Sequence, residues 1–185
     1  MISKNQISIH IDQYEQLYPQ EVAVCNSFRH ALDACSDNFL NRDNFTPGHV
    51  TASCFVTTPK IKNAYTVLIY HKTLQRWLQP GGHLEHSDES LEMAARRELL
   101  EETGLTSKLE CMGLIDLDIH TIPAKGHQPA HKHFDMRFLF ISDKTTLNAG
   151  SDVTKAKWTS VAKITPSNSD ASIVRALEKA TKLLK

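Results

Sequence analysis

Apolar residues recur along this chain at spacings that change, and the changes divide it into elements. From Pro19 to Leu40 they come every three or four positions, with Val22, Cys25, Phe28, Leu32 and Cys35 on one face. That spacing predicts a helix facing a core, with Pro19 near its first position, where a missing amide hydrogen costs nothing. Asp37–Gly48 is rich in Asn and Asp, holds Pro47-Gly48, and reads as a linker. From His49 the pattern shortens to that of strands. Val50–Thr57 and Ala64–His71 are apolar and β-branched, separated by a turn region with Pro59, Lys60, Lys62 and Asn63. Trp77-Leu78-Gln79-Pro80 then leads into a glycine turn at Gly81-Gly82.

Two later stretches alternate with period two, as half-buried strands do. In Leu114–His120, Ile115, Leu117 and Ile119 share one face and Asp116, Asp118 and His120 the other. In His131–Phe140, Phe134, Phe138 and Phe140 turn inward, opposite His131, His133, Asp135 and Arg137. Either face could be plain solvated strand, but two neighbouring strands this rich in His and Asp suit a wall that contacts a ligand. The Thr121–Ala130 loop between them, with Pro123, Gly126 and Pro129, suits a lid. Val153–Val161 reads as a last strand with Trp158 packing, and Asp170–Leu184 as an amphipathic helix capped by Asp170. Periodicity alone gives mixed α and β.

Composition narrows the class only a little. A length of 185 residues, 41% of them apolar, suits one folded domain with an elaboration. We divide it into an N-terminal helical extension, 1–45, packed on a domain at 46–185. Twenty-one basic residues balance twenty-one acidic ones, so no general attraction to nucleic acid or an anionic membrane is expected. Cys25, Cys35, Cys54 and Cys111 are dispersed without a C-x-x-C pair, as expected of reduced thiols in a cytoplasmic protein. No apolar run approaches the ~18 residues of a membrane span. No exposed apolar stripe demands a homodimer.

The unusual stretch is Gly81–Leu105, a glycine turn, a polar loop and a helix. Ser87 or Asp88 can cap that helix, and Gly104 suits its C-terminal cap. At about 100° per residue, Leu91, Ala94, Ala95, Glu98, Glu101 and Glu102 share one stripe. Glu98 repels Glu101 and Glu102 at helical spacing by about 0.2–0.5 kcal/mol each. All three glutamates also crowd the negative end of the helix dipole, against a preference for cations of about 0.3–1 kcal/mol. A solvated acidic helix end would tolerate this, and a hard divalent cation would offset it.

The run Arg97-Glu98-Leu99-Leu100-Glu101-Glu102-Thr103-Gly104-Leu105, with Glu89 eight positions before Arg97 and Gly82 upstream, resembles the Nudix box. Six residues rather than the usual five separate Gly82 from Glu89, which leaves Asp88 and Glu89 as rivals for the first acidic position. The resemblance implies a Nudix-type α/β/α sandwich with a mixed central sheet. It also implies hydrolysis of the diphosphate linkage of a nucleoside diphosphate joined to another moiety, by in-line attack of water with Mg²⁺ or Mn²⁺, more than one ion in the active complex. On it, Glu98, Glu101, Glu102 and the Gly82 carbonyl are expected metal ligands. Glu98 is also the first choice for base, with Glu101 beside it and Arg97 orienting a glutamate. His120, His133, Asp135 and Arg137 are expected to contact substrate, and Glu89, Asp116, Asp118 and His131 are secondary candidates. Dimers are common in the family. A binding module on the same fold, or an isomerase of isoprenoid diphosphates, are the competing readings; intact Arg97, Glu98, Glu101 and Glu102 speak against a retired site. His127, His131 and His133 have spacing suited to zinc but no accompanying Cys, and imidazoles serve equally to hydrogen-bond phosphate or a base.

Overall fold

The computed structural model describes residues 2–35, 37–59, 63–151 and 153–184. Lys60 and Lys62 of the expected turn lie outside the described residues. One mixed sheet of seven strands organises the chain: β1 (Gly48–Thr57), β2 (Tyr65–His71), β3 (Arg76–Leu78), β4 (Gly81–His83), β5 (Glu110–Ile122), β6 (His131–Ile141) and β7 (Val153–Ser160). Its main path runs β3-β2-β1-β6-β5, while β4 pairs with β1 and β7 with β2. Among these pairings, β1 with β6 is parallel and the others antiparallel.

Residue parity on the two central strands decides what each face carries. Val50, Ala52, Cys54 and Val56 of β1, with Phe134, Met136, Phe138 and Phe140 of β6, join the larger apolar cluster. That cluster includes Ile7, Ile11 and Tyr14 of α1 (Lys4–Leu17), Cys25, Phe28 and Leu32 of α2 (Val22–Ala34), and Leu91, Ala94, Ala95 and Leu99 of α3 (Leu91–Thr103). Each large side chain fully buried there contributes roughly 1.5–3 kcal/mol. A smaller cluster seats Ile173, Ala176, Leu177 and Ala180 of α4 (Ala171–Leu183) on Phe55, Ile115 and Leu139. The sheet is thus sandwiched between helices, the α/β/α arrangement expected.

Several local expectations change. Helix α1 was not anticipated, although Ile7, Ile11 and Tyr14 recur at helical spacing and Ser3 and Gln6 form a reciprocal capping box. The second helix ends at Ala34 rather than Leu40, Pro19 opens a 3₁₀ turn before it, and Val22 is exposed. In β5 a bulge between Leu114 and Asp116 sends Ile115 into the α4 cluster, so it does not share a face with Leu117. Asp170 caps α4 as expected, and all four cysteines are free. Among the described residues, no helix is long and apolar enough to cross a membrane.

A buried ionic cluster ties the N-terminal segment to this scaffold. Lys179 of α4 donates to Asp116 at 2.7 Å, to Glu21 at 2.8 Å and to the Tyr14 hydroxyl at 2.6 Å. Tyr14 in turn donates to Glu21. Burial and these anionic neighbours raise the Tyr14 phenol, which stays protonated as a donor.

Candidate active site

Strand β4 lies antiparallel on β1, with Ser53 opposite Gly81, Ala52 opposite Gly82 and Thr51 opposite His83. The chain then loops through 84–90 into α3, which Ser90 caps by accepting the Met93 amide hydrogen. The cap is therefore Ser90, not Ser87 or Asp88, because the loop turns once more before the helix begins. Asp88 instead closes that turn, accepting from the Glu85 amide at 2.8 Å. Gly104 ends the helix at φ +62°, as its sequence position predicts.

Arg97 clamps the loop to the helix. Its guanidinium donates to both Asp88 oxygens at 3.1 and 3.0 Å, to the His83 carbonyl at 2.8 Å, to Glu98 at 3.0 Å and to Glu101 at 3.2 Å. Burial alone would raise the Asp88 carboxyl, but the hydrogen bonds from Arg97 and the Glu85 amide hold it below its usual value. Asp88 is thus the acid that meets Arg97, whereas Glu89 is solvent-exposed. With Asp88 as the first acid the spacing from Gly82 is five, and the extra residue falls between Asp88 and Arg97.

Glu98, Glu101 and Glu102 line a cavity of about 1130 Å³ together with Arg97, Gly82, His120, His133 and Asp135. Glu102 accepts the Gly81 amide hydrogen at 3.0 Å. Burial raises the Glu98 carboxyl above its usual value, opposed by the hydrogen bond and charge of Arg97. A Cβ on Gly82 would lie 2.6–2.7 Å from the Glu98 carboxyl atoms, so a glycine keeps the backbone against that carboxylate. Carboxylate and backbone oxygens are the donor set of a hard divalent cation, and Glu98, Glu101, Glu102 and Gly82 stand along this one cavity.

The opposite wall comes from the central strands. Asp135 accepts from Thr51 at 3.0 Å, Ser53 at 2.8 Å, Gln79 at 3.4 Å and Arg137 at 2.8 Å. Arg137 itself is buried outside the cavity lining, bound also to Asp116 and Asp118. Asp116 and Asp118 receive Arg175 of α4 as well. Burial would raise the Asp118 carboxyl, yet His120, Arg137 and Arg175 hold it well below the carboxylate range. Asp118 orients His120 through Nδ1 at 2.9 Å, and only the latter lines the cavity.

A group of imidazoles stands where β4, β1, β6 and β5 meet. The His49 ring lies 4.7 Å from His133, 5.1 Å from His131 and 5.0 Å from His83, and His120 lies 5.5 Å from His133. Burial, then the neighbouring imidazoles, push His133 down to about 2; burial with the neighbouring imidazoles and Arg42 pushes His83 to about 4. His127, which shares a zinc-like spacing with His131 and His133 in the sequence, is exposed in the 123–130 loop instead. Sequence reasoning missed His49, His83, Thr51, Ser53 and Gln79. The segment Leu40–Asp43, read as linker, also lines the cavity. The His83 that follows the two glycines was the one signal within reach.

This fold and site define a sandwich hydrolase architecture with a glycine-fronted carboxylate helix. A model of the NUDIX domain matches residues 47–179. The chain belongs to the Nudix family. The structure is similar to the Nudix domain of Shewanella oneidensis NrtR complexed with ADP ribose, at 20% identity over 74% of this chain and 88% of that one, with a TM-score of 0.54. It is also similar to a Caenorhabditis elegans Ap4A hydrolase (17%, 73% and 96%, TM-score 0.51) and a Nudix family hydrolase from Clostridium perfringens (23%, 74% and 98%, TM-score 0.51). No match was found among curated proteins.

Proposed function

We propose that this Nudix protein is a metal-dependent pyrophosphohydrolase that cleaves the diphosphate linkage of a nucleoside diphosphate joined to another moiety. The observation that carries the reading is the cradle at Gly82, whose backbone lies so close to the Glu98 carboxylate that any side chain there would have to displace it. Glu101 and Glu102 line the same cavity. When bound there, Mg²⁺ or Mn²⁺ would neutralise diphosphate oxygens and make a water more acidic. Glu98, Glu101, Glu102 and the Gly82 carbonyl would hold more than one such ion.

The chain's own groups do the rest. Arg97 fixes the orientation of Glu98 by hydrogen bonding, which keeps this carboxylate aimed for proton removal. His120, His133 and Asp135 on the opposite wall contact the substrate, and Arg137 positions Asp135 from behind. ADP ribose, the ligand of the NrtR domain, is a nucleoside diphosphate joined to a second moiety, and Ap4A is likewise a phosphoanhydride; this makes both first choices as substrates. Residues 1–45 act as an extension to a domain at 46–185, and their Leu40–Asp43 segment contributes to substrate choice.

The test is phosphate or nucleotide release from ADP ribose, dinucleoside polyphosphates and nucleoside triphosphates with Mg²⁺, Mn²⁺ or neither. Turnover that needs metal, and that falls at least about 100-fold in Glu101→Gln and Glu102→Gln while their unfolding midpoints hold, is expected. Full activity in both variants would remove the assignment. Binding of substrate without turnover of any would favour a binding module.

A further inference from the structure

We propose that His49, His131 and His133 form a second metal site, for a borderline transition ion of the Zn²⁺ class, distinct from the carboxylate site on α3. One ligand nitrogen from each of the three lies within 4.8 Å of the other two. The sheet itself brings them together. His131 and His133 are two apart on β6 and so share a face, and the parallel register sets His49 of β1 directly beside His133.

The hydrogen bonds of these rings point to ligation. His49 is fully buried and its Nδ1 faces the Asn44 carbonyl at 3.0 Å, while Nδ1 of buried His131 faces the Pro129 carbonyl at 2.8 Å. A carbonyl accepts only, so each Nδ1 carries the hydrogen and each Nε2 keeps its lone pair. This is the outer arrangement that fixes the tautomer of metal-bound histidines. Among the described residues, the buried Nε2 atoms of His49 and His133 have no hydrogen-bond partner. An orphaned buried nitrogen is costly, and here two are turned loose in one cluster of imidazoles.

Ligand chemistry sorts ions between the two sites. Three neutral imidazoles bind Zn²⁺, Co²⁺ or Ni²⁺ in preference to Mg²⁺, whereas the carboxylates of α3 suit Mg²⁺ and Mn²⁺. Nitrogens at ~2.0–2.1 Å from a tetrahedral ion stand about 3.4 Å apart, so the widest pair must close by up to ~1.4 Å, within the reach of ring rotation. Three protein ligands leave a fourth position. His83, with its ring 5.0 Å from His49 and 5.2 Å from His133, is the nearest imidazole to supply it, and both His83 and His133 border the active-site cavity.

The experiment is titration of Zn²⁺ and Co²⁺ into the full chain in the Glu102→Gln background, followed by calorimetry and X-ray absorption at the zinc edge. One equivalent of Zn²⁺ bound, with at least three imidazole nitrogens at ~2.0–2.1 Å, is expected. His131→Gln and His49→Asn, the latter able to keep a donor toward the Asn44 carbonyl, should each weaken Zn²⁺ binding by at least about 100-fold. Circular dichroism confirms that at least one of the two remains folded. Absence of stoichiometric Zn²⁺ binding overturns the proposal, as does binding unaffected by a folded histidine variant or a first shell dominated by oxygen. Because the readout is Zn²⁺ binding and not Mg²⁺-dependent turnover, its failure leaves the hydrolase reading standing, and the reverse also holds.

Discussion

Gly82→Ala should separate chemistry from folding. The backbone at Gly82 lies outside the left-handed region, so alanine adds no conformational strain, but its Cβ would lie 2.6–2.7 Å from three atoms of the Glu98 carboxyl. Ordinary contact begins at 3.4 Å, and the group must therefore retreat by about 0.7–0.8 Å. The displaced atoms are the end of a flexible side chain, which can change rotamer for about 0.5–1.5 kcal/mol. Chemistry is less forgiving: a misplacement of about 1 Å costs on the order of 100-fold. We expect kcat/KM with Mg²⁺ to fall about 30–100-fold, equal to about 2–3 kcal/mol of transition-state stabilisation, with the urea midpoint little changed. Gly81→Ala is the contrast, since its Cβ would lie 2.2 Å from Ser53 Cβ and 2.9 Å from the Ala52 carbonyl oxygen, against packed backbone. It should destabilise by at least about 1–3 kcal/mol. Wild-type turnover in Gly82→Ala, or a loss of stability that matches the loss of turnover, would refute the reasoning.

Three further outcomes follow from the same contacts. Asp88→Asn should destabilise by about 1.5–3 kcal/mol in urea unfolding, because it weakens charged hydrogen bonds to Arg97, whereas exposed Glu89→Gln should stay within about 0.5 kcal/mol; equal effects would return Glu89 to contention. Lys179→Met leaves Asp116 buried without one of its cations, and a loss of about 3–5 kcal/mol is expected from thermal or urea unfolding, with no loss showing that Arg137 and Arg175 suffice. Asp118 has its folded pKa held below the unfolded value of about 3.9, so near and below pH 4 the unfolded chain binds more protons. The stability it contributes is whole above that pH and is lost as pH falls through the folded pKa. In Asp118→Asn the plot of unfolding free energy against pH should be shallower below pH 4, by up to about 1.4 kcal/mol per unit; an unchanged slope would exclude Asp118 as a source of acid lability.

What the linear chain determined by itself was local. The Arg97–Leu105 run specified a helix with its carboxylates and its αL end at Gly104, because helical spacing fixes which side chains share a face. Alternation assigned Phe134, Phe138 and Phe140 to the core and His133 and Asp135 to the other face for the same reason. The register of strands and loops lay beyond it. Asp88 rather than Glu89 meets Arg97 because the loop turns back at Glu85, and no count of residues along the chain reveals that turn. A single bulge moved Ile115 across the sheet, and three cations, Arg175 and Lys179 from α4 and Arg137 from β6, converged on Asp116, removing Arg137 from the cavity surface. The histidines make the contrast clearest. Sequence spacing offered His127 beside His131 and His133, but parallel pairing of β1 with β6 brings His49 from more than eighty residues away. Periodicity acts through neighbouring bonds and can be read one residue at a time, whereas a site assembled across strands exists only once non-local register has been set by burial.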